Sequence, residues 1–262
     1  MTDLLERTDI EGRAEGAPEL RLLGGFDLRR GGDTVELPLN AQRLLAFVAL
    51  HERPVLRVHV AASLWMDTTD DKAGANLRST MWRIRRTGHA LLASSGRYLR
   101  VDEHVRIDVR DLLHMERHRL AERVPEAGID DRWLSFGGDL LPDWYDDWVV
   151  VERERLRQLR LHALERWCER LSASGRHGDA IDLGLAAVAL EPLRESSHRA
   201  VIRAHLAEGN VDQALRQYDT FAAMLRLELD LAPSPLMHAL VAPLTRRVAP
   251  PDSHGGDIER AY

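Results

Sequence analysis

The chain of 262 residues is 44% hydrophobic and 30% charged, with 18 Gly and 11 Pro; this allows a real core in one or two domains and excludes a disordered or fibrous chain. Its net charge of −6 conceals a division: residues 20–110 hold 15 Lys and Arg against 10 Asp and Glu, whereas residues 111–249 hold 18 against 23. No run approaches the ~18 apolar residues of a membrane span, and the opening MTDLLERTDI is acidic where a signal peptide is basic and then apolar.

Residues 1–18 are expected to be a disordered tail. Between 20 and 40 the runs LRLLGGFDLRR and DTVELPL alternate like strands and are joined by Gly31-Gly32, a hairpin signal. Asn40 is the expected N-cap of a first helix whose buried face is Leu44, Leu45, Val48 and Ala49, ending before Pro54. RPVLR is a short extended piece, and VHVAASLW reads as a second helix interrupted by residues 67–71. A long helix is predicted from about Lys72 to about Thr87. LLASSGRYLRV and HVRIDV then read as strands, with Ser94-Ser95-Gly96 turning between two of them. Three helices followed by a hairpin make a winged helix-turn-helix, so a DNA-binding domain is expected over 19–110.

From about Asp111 the strand signals stop. Residues 125–142 read as loop and the remainder as helix. SGRHGDAI (174–181) and EGNVDQAL (208–215) are 34 residues apart, with Gly175 and Gly209, and Ala180 and Ala214, in register. That period, with glycine at the turn and alanine at close packing, is the tetratricopeptide (TPR) signature. The expected helix pairs are 152–172 with 177–189 and 194–207 with 211–226, followed by a capping helix over 234–247. The fold class is thus mainly α: a winged helix-turn-helix with flanking β-hairpins, then a TPR-like helical domain over 111–248, with 249–262 a second disordered tail.

The long helix carries the chemistry. Ala73, Leu77, Met81 and Ile84 form one apolar stripe, while Lys72, Asn76, Ser79, Trp82, Arg83 and Arg86 face the other way, flanked by Arg78 and Arg85. Exposed helices normally intersperse acids, which make i,i+4 pairs and relieve like-charge repulsion. An acid-free face over four turns suits a polyanion. The major groove of DNA admits one helix, and a guanidinium fork can bond O6 and N7 of guanine together. Asn76 is a candidate for adenine or a phosphate. Arg97 and Arg100 in the hairpin, and Arg43 and Arg57 near helix ends, are candidate backbone contacts. Trp82 has two readings, a wedge against sugar-phosphate or a side chain packed back onto the wing, and packing is the expected one.

Taken together, LRLLGGFDL, NAQRLLAFVAL, ASLWMD, ANLRSTMWRIRR, GRYLRV and VRIDV resemble the DNA-binding domain of SARP-type (antibiotic regulatory protein) activators. GGDLLPDWYDDWVVVERERLRQLR (137–160) and residues 190–219 look like the bacterial transcriptional activator domain that follows it in that family. The resemblance implies an activator of secondary-metabolite or similar gene clusters that binds promoter DNA, often direct repeats as a homodimer, and recruits RNA polymerase. It also implies that MDTTDDKAG, with Asp67, Asp70 and Asp71, is the polymerase-facing loop; capping and solubilisation explain those acids equally well. Trp82 departs from the small or basic residue many relatives place there. No GxxxxGK[ST] occurs, so nucleotide-driven regulation is not expected.

Other chemistry finds little support. His114 and His118 are spaced i,i+4, but HMERH is not HExxH and has no third ligand, so no metal and no cofactor are expected. Asp143, Asp146, Asp147 and Glu152 sit at a helix start, where acids suit the dipole, with Trp144, Tyr145 and Trp148 expected to dock that helix on the core. The lone Cys168 fits a cytoplasmic protein and a packing role. No catalytic elbow or phosphate loop points to an enzyme. The rival reading is a TPR-like adaptor whose winged helix no longer binds DNA.

Overall fold

The computed structural model describes residues 16–121 and 138–245, and the chain divides into two units between Gln158 and Leu159. In the first, the alternation of residues 20–40 produces antiparallel strands β1 (Pro18–Arg21), β2 (Asp27–Arg30) and β3 (Asp33–Thr34), with buried Leu20 opposite buried Leu28. Strand β1 begins at Pro18, so the first tail ends sooner than expected; residues 1–15 lie outside the described residues. Gly31 and Gly32 turn the chain at φ 58° and 94°, the pair of positive angles a two-residue hairpin loop demands.

Helix α1 (Leu39–Leu50) buries Leu44, Leu45, Val48 and Ala49 as its spacing requires. Its N-cap is Pro38 rather than Asn40, because the Pro38 carbonyl already accepts the N–H groups of Ala41 and Gln42. Strand β4 (Val55–Leu56), helix α2 (Arg57–Leu64) and helix α3 (Asp70–Arg86) follow, then strands β5 (Leu92–Ser95) and β6 (Tyr98–Val101). The second sheet runs β4-β6-β5, so the hairpin is anchored by the short strand that precedes α2. Its turn is Gly96-Arg97, one position later than the serines suggest, since Ser94 and Ser95 stay paired with Leu99 and Tyr98. The result is a winged helix-turn-helix.

Strand β7 (Arg106–Ile107) does not extend the wing. It pairs parallel with β1, closing the first sheet in the order β3-β2-β1-β7. Helix α4 (Asp108–Ala121) begins at once. The Asp108 carboxylate accepts the N–H groups of Leu22 and Leu23 at 2.9 Å and of Val109 at 2.7 Å. Burial pushes that carboxyl above its ordinary range, against the lowering effect of the three amides.

Residues 138–158 also belong to this first unit. Leu141 N–H donates to the Leu22 carbonyl, and Gly24 N–H donates to the Asp139 carbonyl, each at 2.9 Å. Arg153 ties the loop from within, donating to the carbonyls of Leu140 and Trp144. Trp144 stacks on Phe26 with centroids 6.0 Å apart, and Trp148 meets Phe47 edge-on at 5.2 Å. The two tryptophans therefore dock as expected, but Tyr145 does not: it is 85% exposed.

Helix α5 (Asp147–Ala173) continues past the division, and the second unit adds α6 (His177–Leu190), α7 (Glu195–Glu208), α8 (Val211–Leu229) and α9 (Pro235–Thr245). The 34-residue period is realised as read: Gly175 and Gly209 sit at φ 82° and 93° in the inter-helix turns, and Ala180 and Ala214 are fully buried. Gly184 is a further close point, since a Cβ there would lie 2.6 Å from Val201 and 3.2 Å from Cys168. Glu165 accepts hydrogen bonds from Arg194, Ser196 and Ser197. Burial raises its carboxyl, but these donors outweigh that and hold it low. His198 is fully buried, its Nε2 facing the Pro192 carbonyl at 2.8 Å and its Nδ1 facing the Gln217 amide at 2.9 Å. Residues 246–262, with the expected second tail, lie outside the described residues, as does most of the loop read over 125–142.

Two stability predictions follow from this packing. A Cβ on Gly138 would stand 2.7 Å from the Gly24 nitrogen, so Gly138→Ala is expected to cost about 1–3 kcal/mol, read from urea unfolding of the full chain; an unchanged midpoint would show that the loop yields freely. Burial, partly opposed by the Pro192 carbonyl, lowers the basicity of His198 in the folded state. The folded unit then binds fewer protons, so this contribution is full above about pH 6.5 and is lost as pH falls through that unfolded value. Between pH 7 and 5, the protection of α7 amides, with exchange corrected for its intrinsic pH dependence, should fall more in the wild type than in His198→Asn; equal pH slopes would refute the assignment.

Candidate nucleic-acid interface

The charges of α3 are arranged along its dipole, with Asp70 and Asp71 in the first turn and Arg83, Arg85 and Arg86 in the last. Ala73, Leu77, Met81 and Ile84 are buried as the stripe requires. Thr80 joins them, a position that polarity alone concealed. Packing this stripe against α1 and α2 turns Lys72, Asn76, Arg78, Ser79, Trp82, Arg83, Arg85 and Arg86 to solvent. Sequence reasoning thus assembled this face correctly.

The wing turn is fixed to the same body. The Arg97 carbonyl accepts the N–H of Arg57 at 2.8 Å, while the Arg97 side chain is exposed. Gly96 takes φ 56° in that turn. Arg57 is only half exposed, and its guanidinium reaches the Met81 sulfur at 3.0 Å from below α3. Its geometry is that of a brace between α2, the wing and the underside of the helix. Arg43 is engaged elsewhere: it pairs with Asp146, Nε lying 2.9 Å from Oδ1. Arg100 has Glu103 at 3.9 Å.

The charge pattern separates this face from the rest of the surface. Several exposed arginines elsewhere have acids beside them, including Arg155 with Glu152, Arg157 with Glu154, Arg106 with Asp111 and Arg216 with Asp212, and those without an acid, such as Arg53, Arg166 and Arg226, are scattered singly along the chain. Among the described residues, no carboxylate lies within ion-pair reach of Lys72, Arg78, Arg83, Arg85, Arg86 or Arg97.

Trp82 does not pack onto the wing. It is 56% exposed, and the Arg86 guanidinium lies over its ring, 4.8 Å from the centroid. The spacing explains this, since residues four apart on a helix are neighbours and an arginine suits an indole face. Asp67 is exposed in the loop before α3, next to Met66, which is 65% exposed, and Val58 on α2 is 78% exposed. A groove between α2 and α3 is lined by Val58, Ala61, Asp70, Asp71, Gly74 and Arg78.

Among the described residues, no group of three His, Cys, Asp or Glu could hold a metal. His114 is exposed, and the side chain of His118 lies outside the described residues. Cys168 is fully buried, and burial with the neighbouring Glu169 and Glu165 pushes its thiol up to about 12, so it packs rather than reacts. Among the described residues no helix is long and apolar enough to cross a membrane.

No curated protein matches the chain. Mycobacterium tuberculosis EmbR, solved in complex with a low-affinity phosphopeptide, shares the fold at a TM-score of 0.65 and 21% identity, over 89% of this chain and 66% of that one. This chain thus spans just under two thirds of EmbR. The bacterial transcriptional activator domain family matches residues 101–244, which agrees with the likeness of 137–160 and 190–219 noted in the sequence. That match takes in more than half of the 262 residues, and the chain belongs to the bacterial transcriptional activator domain family.

Proposed function

We propose that this regulator binds promoter DNA by laying α3 in the major groove and recruits RNA polymerase to genes of a secondary-metabolite or similar cluster. The observation that carries the reading is the clustering of cations without acids: Lys72, Arg78, Arg83, Arg85, Arg86 and Arg97 gather on α3 and the wing turn with no carboxylate of the described residues in ion-pair reach, whereas exposed arginines elsewhere are paired with acids or stand singly. Holding four arginines and a lysine on one helix face without acids is unfavourable in isolation. A phosphate backbone reverses the sign of that cost and rewards it with counterion release.

Arg83 and Arg86, with Asn76, Ser79 and Arg78, are the residues proposed to meet the groove, Lys72 its edge, and Arg97 the flanking backbone. Arg57 contributes by bracing the wing. Arg43, paired with Asp146, contributes to docking of the 138–158 segment instead. The resemblance to SARP-type activators supports direct-repeat binding as a homodimer and a polymerase contact through Asp67 with its apolar neighbour Met66. Asp70 and Asp71 are satisfied by the helix dipole whether or not a partner is present.

Binding to duplexes selected from a randomised pool should weaken with salt at a log–log slope near −0.9 per phosphate neutralised. Arg83→Ala/Arg86→Ala is expected to lose at least about tenfold in affinity, whereas Arg43→Ala should leave the salt slope unchanged. A flat salt response, or a double variant that binds like the wild type, would favour the adaptor reading.

A further inference from the structure

Trp82 is the residue on the α3 face whose chemistry the DNA-binding reading leaves unused. It is a large apolar ring, more than half exposed, in the middle of a cationic surface. Exposure on that scale costs solvation, and among the described residues no aromatic ring stacks on it. What does cover it is a charge: the Arg86 guanidinium, one helical turn further on, lies 4.8 Å from the ring centroid. No carboxylate of the described residues competes for that guanidinium. The neighbouring cations Arg83 and Arg85 repel it away from alternative positions along the helix.

An unpaired arginine at a helix end samples many rotamers, and ordering it on binding is unfavourable. Stacked flat on an indole, the guanidinium loses most of that freedom beforehand, yet its N–H edges stay open, because a cation–π contact uses the face of the group and leaves its donors free. Resting on the proposal that α3 meets DNA, we infer that Trp82 is a positioning residue: it holds Arg86 in the orientation from which its donor edge contacts the duplex. The pair acts as one unit, with the ring supplying geometry and the guanidinium supplying the hydrogen bonds. This assigns the tryptophan a role that neither a wedge nor a core residue would have.

A double-mutant cycle on the full chain tests the pairing, using one duplex enriched from a randomised pool and one unrelated duplex of equal length. Trp82→Ala should weaken binding to the enriched duplex roughly two- to fivefold, the scale of an exposed cation–π contact. Arg86→Ala should lose at least as much. The double variant should bind no more weakly than Arg86→Ala, because without Arg86 the ring has nothing to position. Trp82→Phe and Trp82→Tyr, which keep a π face, should retain most of the affinity. Trp82→Leu, which keeps bulk alone, should not. The urea midpoint should stay constant throughout, since the side chain is exposed. Additive losses, or a leucine variant that binds like the wild type, overturn the pairing while leaving the DNA-binding reading standing. Failure of the wild type to bind either duplex overturns both.

Discussion

The backbone of residues 22–24 is the point on which the first unit turns. Leaving strand β1, it would expose several polar groups against an apolar core, and unpaired buried amides are costly. One side is satisfied by a single carboxylate, Asp108, which takes two of these N–H groups and caps α4 with a third bond. The other side is satisfied by residues 139 and 141, a stretch more than a hundred positions later. One short length of chain thereby joins the opening sheet, the helix after the wing, and the aromatic segment LLPDWYDDW. The near approach of Gly138 to Gly24 follows from the same geometry.

That arrangement places the division of the molecule later than the change of sequence grammar. Strand signals end near Asp111, yet residues 138–158 pack with the winged helix. Arg43 shows the consequence for the surface. On α1 it looked like one more cation facing a polyanion, and Asp146 claims it for packing. Removing it from the basic set sharpens the electrostatic picture, because among the described residues the uncompensated cations that cluster are those of α3 and the wing turn.

What was legible in the sequence was what depends on neighbours in the chain. The apolar stripe of α3, the glycine pair between β2 and β3, and the 34-residue period each rest on local periodicity or on a backbone angle only glycine takes readily. What was not legible depends on residues far apart. The parallel pairing of β7 with β1, the Asp108 hydrogen bonds and the Arg43–Asp146 pair have no local signature, as the pattern of HVRIDV is that of any half-buried strand. Pro38 displaced Asn40 as the cap because side-chain preference yielded to a backbone carbonyl already in place. Thr80 was missed because a buried threonine reads as polar, and Trp82 because its partner is a cation rather than another apolar side chain.

The burial of Cys168 has a practical meaning. It is the sole thiol in the chain, wedged where α5 and α6 come together beside Gly184, and burial favours its protonated form. The thiolate is the form that attacks peroxides and disulfides, so in the folded unit this thiol is inert to them. The same sulfhydryl becomes reactive the moment the repeat opens. Its rate of modification is therefore an intrinsic clock for the opening of the second unit, readable by mass without any added label.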